Sequence, residues 1–126
     1  MKRRTLVVAG PAVLAALALG ACTAPIYNVP GRRFDSPAPF EARAEQIRRA
    51  AAGLGWQTDL VRPGVMRATL NLRSHVAVVE ITYSADAFAI RYVDSRNLQY
   101  DGSSIHKNYN GWIQNLERAI AQQPVS

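Results

Sequence analysis

Residues 65–92 read VMRATLNLRSHVAVVEITYSADAFAIRY, and apolar side chains fall on every second position through most of the stretch. Met66, Ala68, Leu70 and Leu72 alternate with Arg67, Thr69, Asn71 and Arg73. Ala77, Val79, Ile81 and Tyr83 alternate with Val78, Glu80 and Thr82, and Phe88, Ile90 and Tyr92 with Ala89 and Arg91. A period of two sends one set to the core face of a sheet and the other into water. The breaks at Ser74-His75 and Ser84-Ala85-Asp86 are too short for crossovers, so the strands form an antiparallel meander. Upstream, Trp56 to Val61 supplies a fourth short strand. Its link, Arg62-Pro63-Gly64-Val65, has proline second and glycine third, as a type II turn requires. Arg67, Thr69, Asn71, Glu80, Thr82 and Arg91 belong on the wet face, where Arg and Glu pair across strands.

The flanks carry the other period. Phe40, Ala44, Ile47, Ala51 and Leu54 mark one helical stripe, with Glu45 and Arg49 paired at i,i+4 outside it. Pro37 or Pro39 suits its first turn and Gly53 or Gly55 its stop. After a polar loop, Ile105, Tyr109, Trp112, Ile113, Leu116 and Ile120 mark a second stripe, which Ser103 or Ser104 can cap. Both stripes need the single apolar sheet face. The expectation is an α+β, two-layer domain over 38–122: a three- to four-stranded antiparallel meander with an N-terminal and a C-terminal helix on one face. Residues 123–126 are a short tail.

Charge has to be read by position. Fifteen Lys/Arg stand against nine Asp/Glu in 126 residues, but Lys2, Arg3 and Arg4 lie at the extreme N-terminus. Without them the excess is +3, an ordinary surface that argues against nucleic acid as partner. The three cations precede an apolar run from Leu6 to Leu19 and then small residues, the layout of a secretory signal peptide. Extended to Ala24 the run could barely span a bilayer, but it contains Gly10, Pro11 and Gly20, which disfavours a spanning helix. Residues 23–37, TAPIYNVPGRRFDSP, show neither period, so 22–37 is expected to be a Pro-stiffened tether.

The leader ends Leu19-Gly20-Ala21-Cys22, which resembles the lipobox of bacterial lipoproteins. The resemblance implies cleavage between Ala21 and Cys22. It also implies a thioether-linked diacylglycerol on the Cys22 sulfur and acylation of the new amino group. Cys22 is the only cysteine, so neither a disulfide nor a thiolate-rich metal site is available. Thr23, rather than Asp, follows the cysteine. By the same resemblance this favours the outer membrane, facing the periplasm, over the inner one.

Candidate chemistry concentrates in 94–113, DSRNLQYDGSSIHKNYNGWI. Asn97, Tyr100, His106, Asn108, Asn110 and Gly111, with His75 from the preceding turn, form the candidate binding surface. Gly111 lies opposite the second stripe, where glycine weakens a helix by ~1 kcal/mol. It implies an irregular first turn or a close-approaching partner. His106, Asn110 and Glu117 line one flank of the stripe, as a polar rim or a pocket edge. Tyr92, Tyr100, Tyr109 and Trp112 make either core or an aromatic platform. Two histidines without a carboxylate pattern are a poor metal set, and no nucleophile elbow, paired carboxylates or phosphate loop is present. No metal and no cofactor beyond the covalent lipid is expected, and no catalytic residue is assigned.

The domain resembles a family of small proteobacterial lipoproteins with no assigned activity. The resemblance rests on Gly64-Val65-Met66-Arg67-Ala68-Thr69-Leu70, on His75 leading into Val79-Glu80-Ile81-Thr82-Tyr83, on Ser95-Arg96-Asn97-Leu98-Gln99-Tyr100, and on Ile105-His106-Lys107-Asn108-Tyr109-Asn110-Gly111-Trp112-Ile113. It implies an envelope address and adds no catalytic residue. The expectation is a non-enzymatic, lipid-anchored module that binds an envelope protein or component. The alternatives are an enzyme or enzyme accessory using the 94–113 region, and a purely structural lipoprotein.

Overall fold

A computed structural model describes residues 22–126; the expected signal peptide, 1–21, and the Ala21 side of its cleavage site lie outside the described residues. The alternation in 65–92 becomes β4 (Val65–Leu72), β5 (His75–Tyr83) and β6 (Ala87–Arg96), and the upstream strand is β3 (Trp56–Arg62). They pair antiparallel in chain order through short connections, as tight turns between adjacent strands demand. Gly64 turns β3 into β4 with φ of 86°, and a Cβ there would meet the Tyr83 carbonyl oxygen at 3.3 Å. Glycine is needed at that position on both counts.

The inward positions are those the alternation marks. Met66, Ala68, Leu70, Ala77, Val79, Ile81, Phe88 and Ile90 are buried in one cluster. Leu72 departs from this: it is the last residue of β4 and is exposed. On the other face the register aligns Asp59, Arg67, Glu80 and Arg91 in one row across β3 to β6. Arg91 donates to Glu80 at 2.8 Å, and that bond holds the Glu80 carboxyl below its ordinary range.

The expected tether is where the structure differs most. Residues 23–33 contain β1 (Thr23–Pro25) and β2 (Val29–Arg33). β2 adds to the free side of β6, giving a five-stranded sheet in the order β2-β6-β5-β4-β3. β1 pairs with β7 (Ser104–His106) in a two-stranded ribbon. An edge strand tolerates Pro30 and Gly31, and β2 carries an irregularity between Val29 and Arg32. Buried Val29 and Phe34, with half-buried Ile26 and Tyr27 against the core, hold the segment down. Among the described residues, 23–33 therefore belong to the folded unit expected to start at residue 38.

α1 (Arg43–Gly53) follows a short 3₁₀ turn, Phe40–Ala42, and α2 is Lys107–Gln122. The buried face of α1 is Arg43, Gln46, Ile47, Ala50 and Ala51. It shares only Ile47 and Ala51 with the expected stripe; Phe40 stacks on Tyr83 at 5.3 Å and Leu54 is exposed. Glu45 binds Arg48, not Arg49, which reaches the Pro124 and Val125 carbonyls. α2 buries Tyr109, Ile113, Leu116 and Ile120, as their spacing requires. Ile105 belongs to β7, and the cap is His106, whose Nδ1 accepts from Asn108 N at 3.1 Å, not Ser103 or Ser104. The result is an α+β fold whose two helices share one core with the inner sheet face.

Candidate functional site

Cys22 is exposed, and its backbone is nevertheless part of the fold. Its carbonyl accepts from Lys107 N at 3.1 Å, at the start of α2, and Thr23 lies opposite His106. From there a chain of hydrogen bonds crosses one end of the domain. His106 N donates to the Leu98 carbonyl at 2.8 Å. Asn97 presents its carbonyl to His75 Nδ1 at 2.8 Å and donates its amide to Ser74 Oγ at 2.8 Å. Cys22, the 97–104 loop, the α2 N-terminus and the β4–β5 turn therefore form a single connected pole.

Backbone conformation marks the same place. Arg73, Asn97 and Gln99 have φ of 57°, 62° and 58°, and are the non-glycine residues with positive φ among those described. Asn97 and Gln99 flank Leu98, which is buried, so two left-handed residues turn one apolar side chain into the core. Arg73 tops a two-residue hairpin, where glycine or asparagine is the usual occupant. Holding a longer side chain in that conformation costs roughly 1–2 kcal/mol. Beside it is a cleft of about 110 Å³, lined by Leu54, Trp56, Leu70, Leu72, Trp112 and Asn115. Leu54 and Leu72 remain 41% and 43% exposed at its mouth, and the His75 ring centroid lies 6.2 Å from that of Trp112.

The residues singled out in the sequence separate by role. His75 and Asn97 come together, each binding backbone or side chain of the pole. Among the described residues, the hydrogen bonds of His75 and His106 reach neither each other nor a carboxylate. No group of three or more His, Cys, Asp or Glu among the described residues is placed to hold a metal ion. Tyr100 packs tilted against Tyr92 with ring centroids 4.2 Å apart and donates to the Gly102 carbonyl; Tyr92 meets buried Tyr109 edge-on at 5.8 Å. Burial raises the Tyr109 phenol well above its ordinary range. Of the three rings only Tyr100 is exposed, so the aromatic cluster is mostly core. Asn108 lends its backbone N–H to the His106 cap.

The flank of α2 is a clasp. Asn110 Oδ1 accepts from Tyr27 N and its Nδ2 donates to the Pro25 carbonyl, both at 2.9 Å. Two turns further on, Glu117 accepts from the Tyr27 hydroxyl at 2.6 Å and from Arg32 at 3.3 Å. The Glu117 bond raises the Tyr27 phenol. Asn110→Ala strips both backbone partners from the β1–β2 link and is expected to lower stability by about 1–2 kcal/mol. Amide exchange at Tyr27 should accelerate with it; unchanged exchange would show that the clasp is not closed in solution. Gly111 sits inside α2, and a Cβ there would meet nothing within 4 Å. Gly111→Ala should therefore raise the unfolding free energy by about 0.5–1 kcal/mol, measured in urea.

What sequence reasoning missed at this pole is the fixing of Cys22 and the tip position of Arg73. Neither has a local signal, since one depends on a strand pairing over 80 positions and the other on a hairpin conformation. Among the described residues no helix is long and apolar enough to cross a membrane. No family model, no curated protein and no solved structure matches this chain.

Proposed function

We propose that the protein is a lipid-anchored cell-envelope lipoprotein, acylated on Cys22, whose domain acts without catalysis as a binding module for an envelope protein or component. The carrying observation is the lipobox-like Leu19-Gly20-Ala21-Cys22 ending a basic and then apolar leader, with its cysteine the only one in the chain. Its sulfur lies on an exposed residue, open to a lipid-modifying enzyme. Three acyl chains at ~0.8 kcal/mol per buried CH₂ give firm anchoring where one chain gives marginal binding. Thr23 after the cysteine favours the outer membrane facing the periplasm.

The non-catalytic part of the reading has its own support. His75, His106, Asn97 and Asn110 each hold a turn, a cap or the β1–β2 link. These duties account for the polar richness of 94–113 without a reaction. Mass spectrometry of the native protein tests the whole proposal. The expected mass lacks residues 1–21 and carries a diacylglyceryl and an N-acyl group; a mature chain with no lipid mass would refute it.

A further inference from the structure

We infer that the pole around Cys22 lies flush against the bilayer that holds the lipid, with Arg73, Arg96 and Lys107 meeting anionic phospholipid headgroups. The inference rests on the acylation proposed above and adds the orientation and the contact surface. A lipoprotein domain usually acquires freedom from a spacer, and here the spacer is used up. The acylated residue is the one whose carbonyl is bonded to Lys107 N, and β1 begins at the next position. The longest separation the domain can reach is therefore set by one cysteine side chain and its glycerol.

The chemistry of the pole suits that contact. Arg73 crowns the β4–β5 turn, Arg96 ends β6 opposite Val76, and Lys107 begins α2. Among the described residues none of these three has a carboxylate partner. The acidic groups nearest in the chain, Asp94 and Asp101, are exposed too and are held by neighbouring backbone donors. Asp94 accepts from Ser95 N, and Asp101 accepts from Ser104 N and Ser103 N, which hold its carboxyl below the ordinary range. Arg73, Arg96 and Lys107 are exposed and outnumber these two carboxylates, which leaves the pole an excess of positive charge toward an anionic surface. Exposed Leu54 and Leu72 beside them suit the headgroup–acyl boundary, where apolar side chains and basic groups sit together. The left-handed backbone at Arg73 fits too: the chain keeps an arginine at a tip where glycine would be less strained.

The experiment uses the full-length, lipidated protein in vesicles of phosphatidylethanolamine and phosphatidylglycerol carrying a headgroup-attached quencher. With Cys22 acylated, a cysteine introduced elsewhere is the only free thiol, so one fluorophore can be placed at Ser74→Cys, in the same turn as Arg73 and exposed, and, in a second sample, at Leu60→Cys. Leu60 pairs with Met66, six residues along β4 from Leu72, about 20 Å at ~3.3 Å per residue. Quenching at position 74 is expected to exceed that at position 60 several-fold. Adding Arg73→Glu, Arg96→Glu and Lys107→Glu, or omitting phosphatidylglycerol, should reduce the difference to below half. Equal quenching at the two positions would overturn the docking while leaving the anchor intact. A label at position 74 that responds to protein density and not to the quencher would assign the pole to a second copy, which also overturns it. Protein that fails to float with vesicles and bears no lipid mass would instead refute the acylation itself, and the orientation with it.

Discussion

Arg43→Ala is expected to lower the unfolding free energy by about 3–5 kcal/mol, from three acceptors left without a donor and the void left by a buried side chain. Arg43 is 1% exposed, yet each of its three guanidinium nitrogens donates a hydrogen bond. Nε donates to the Ala85 carbonyl at 2.8 Å, Nη1 to Gln46 Oε1 at 2.7 Å and Nη2 to the Ser36 carbonyl at 2.8 Å. Its Cζ sits 3.8 Å from the centre of the Phe34 ring. One side chain thus ties α1 to the segment entering it and to the β5–β6 turn. Burial lowers the Arg43 pKa, and the Asp86 charge opposes that shift. Alanine would leave two carbonyls and an amide oxygen without their donor and open a void beneath Phe34. Small domains hold ~5–15 kcal/mol in all, so the variant should be close to unfolding at growth temperature. Arg43→Lys separates the causes: it keeps a charge but cannot reach three acceptors in a plane, and should recover less than half of the loss. Urea denaturation measures both, and a loss under 1 kcal/mol for alanine would mean that the network contributes little.

The second large effect is at Cys22. With Cys22→Ser, incorporation of labelled palmitate is expected to fall to background, because a hydroxyl does not take the thioether-linked glyceride. The substitution reads cleanly. The side chain is exposed, and the fold uses only the backbone carbonyl of this residue, so serine leaves the Lys107 contact available. Near-ultraviolet circular dichroism should match the parent. Loss of label with an intact domain separates anchoring from folding. Label retained at parental level would place the lipid elsewhere and remove the basis for both the anchor and the docked pole.

Local order in the chain carried much of this reading. The meander from β3 to β6 follows from alternation and from turns of a few residues, and α2 follows from a stripe of large apolar side chains. In each, neighbours in sequence are neighbours in space. The candidate site was harder. His75 and Asn97 lie far enough apart in sequence that only their meeting across the β4–β5 turn shows what each holds. The richness of 94–113 in Asn, Ser and His pointed to chemistry, whereas these side chains largely cap, clasp and close turns, because a loop with few ladder partners must satisfy its backbone some other way.

Composition and periodicity alone determined the α+β class, the antiparallel meander and the wet and dry sheet faces. Tertiary structure decided that 23–33 supplies two strands, that α1 turns Arg43 and Gln46 inward, and that Cys22 is held against α2. The reason is the same in all three. Proline, glycine and arginine carry unfavourable local signals for strand or core, and they are overruled by partners 40 to 90 positions away: Ile90 for Val29, Ala85 for Arg43, Lys107 for Cys22. Such pairings stabilise only when the whole chain has collapsed around them, so no window of sequence contains them.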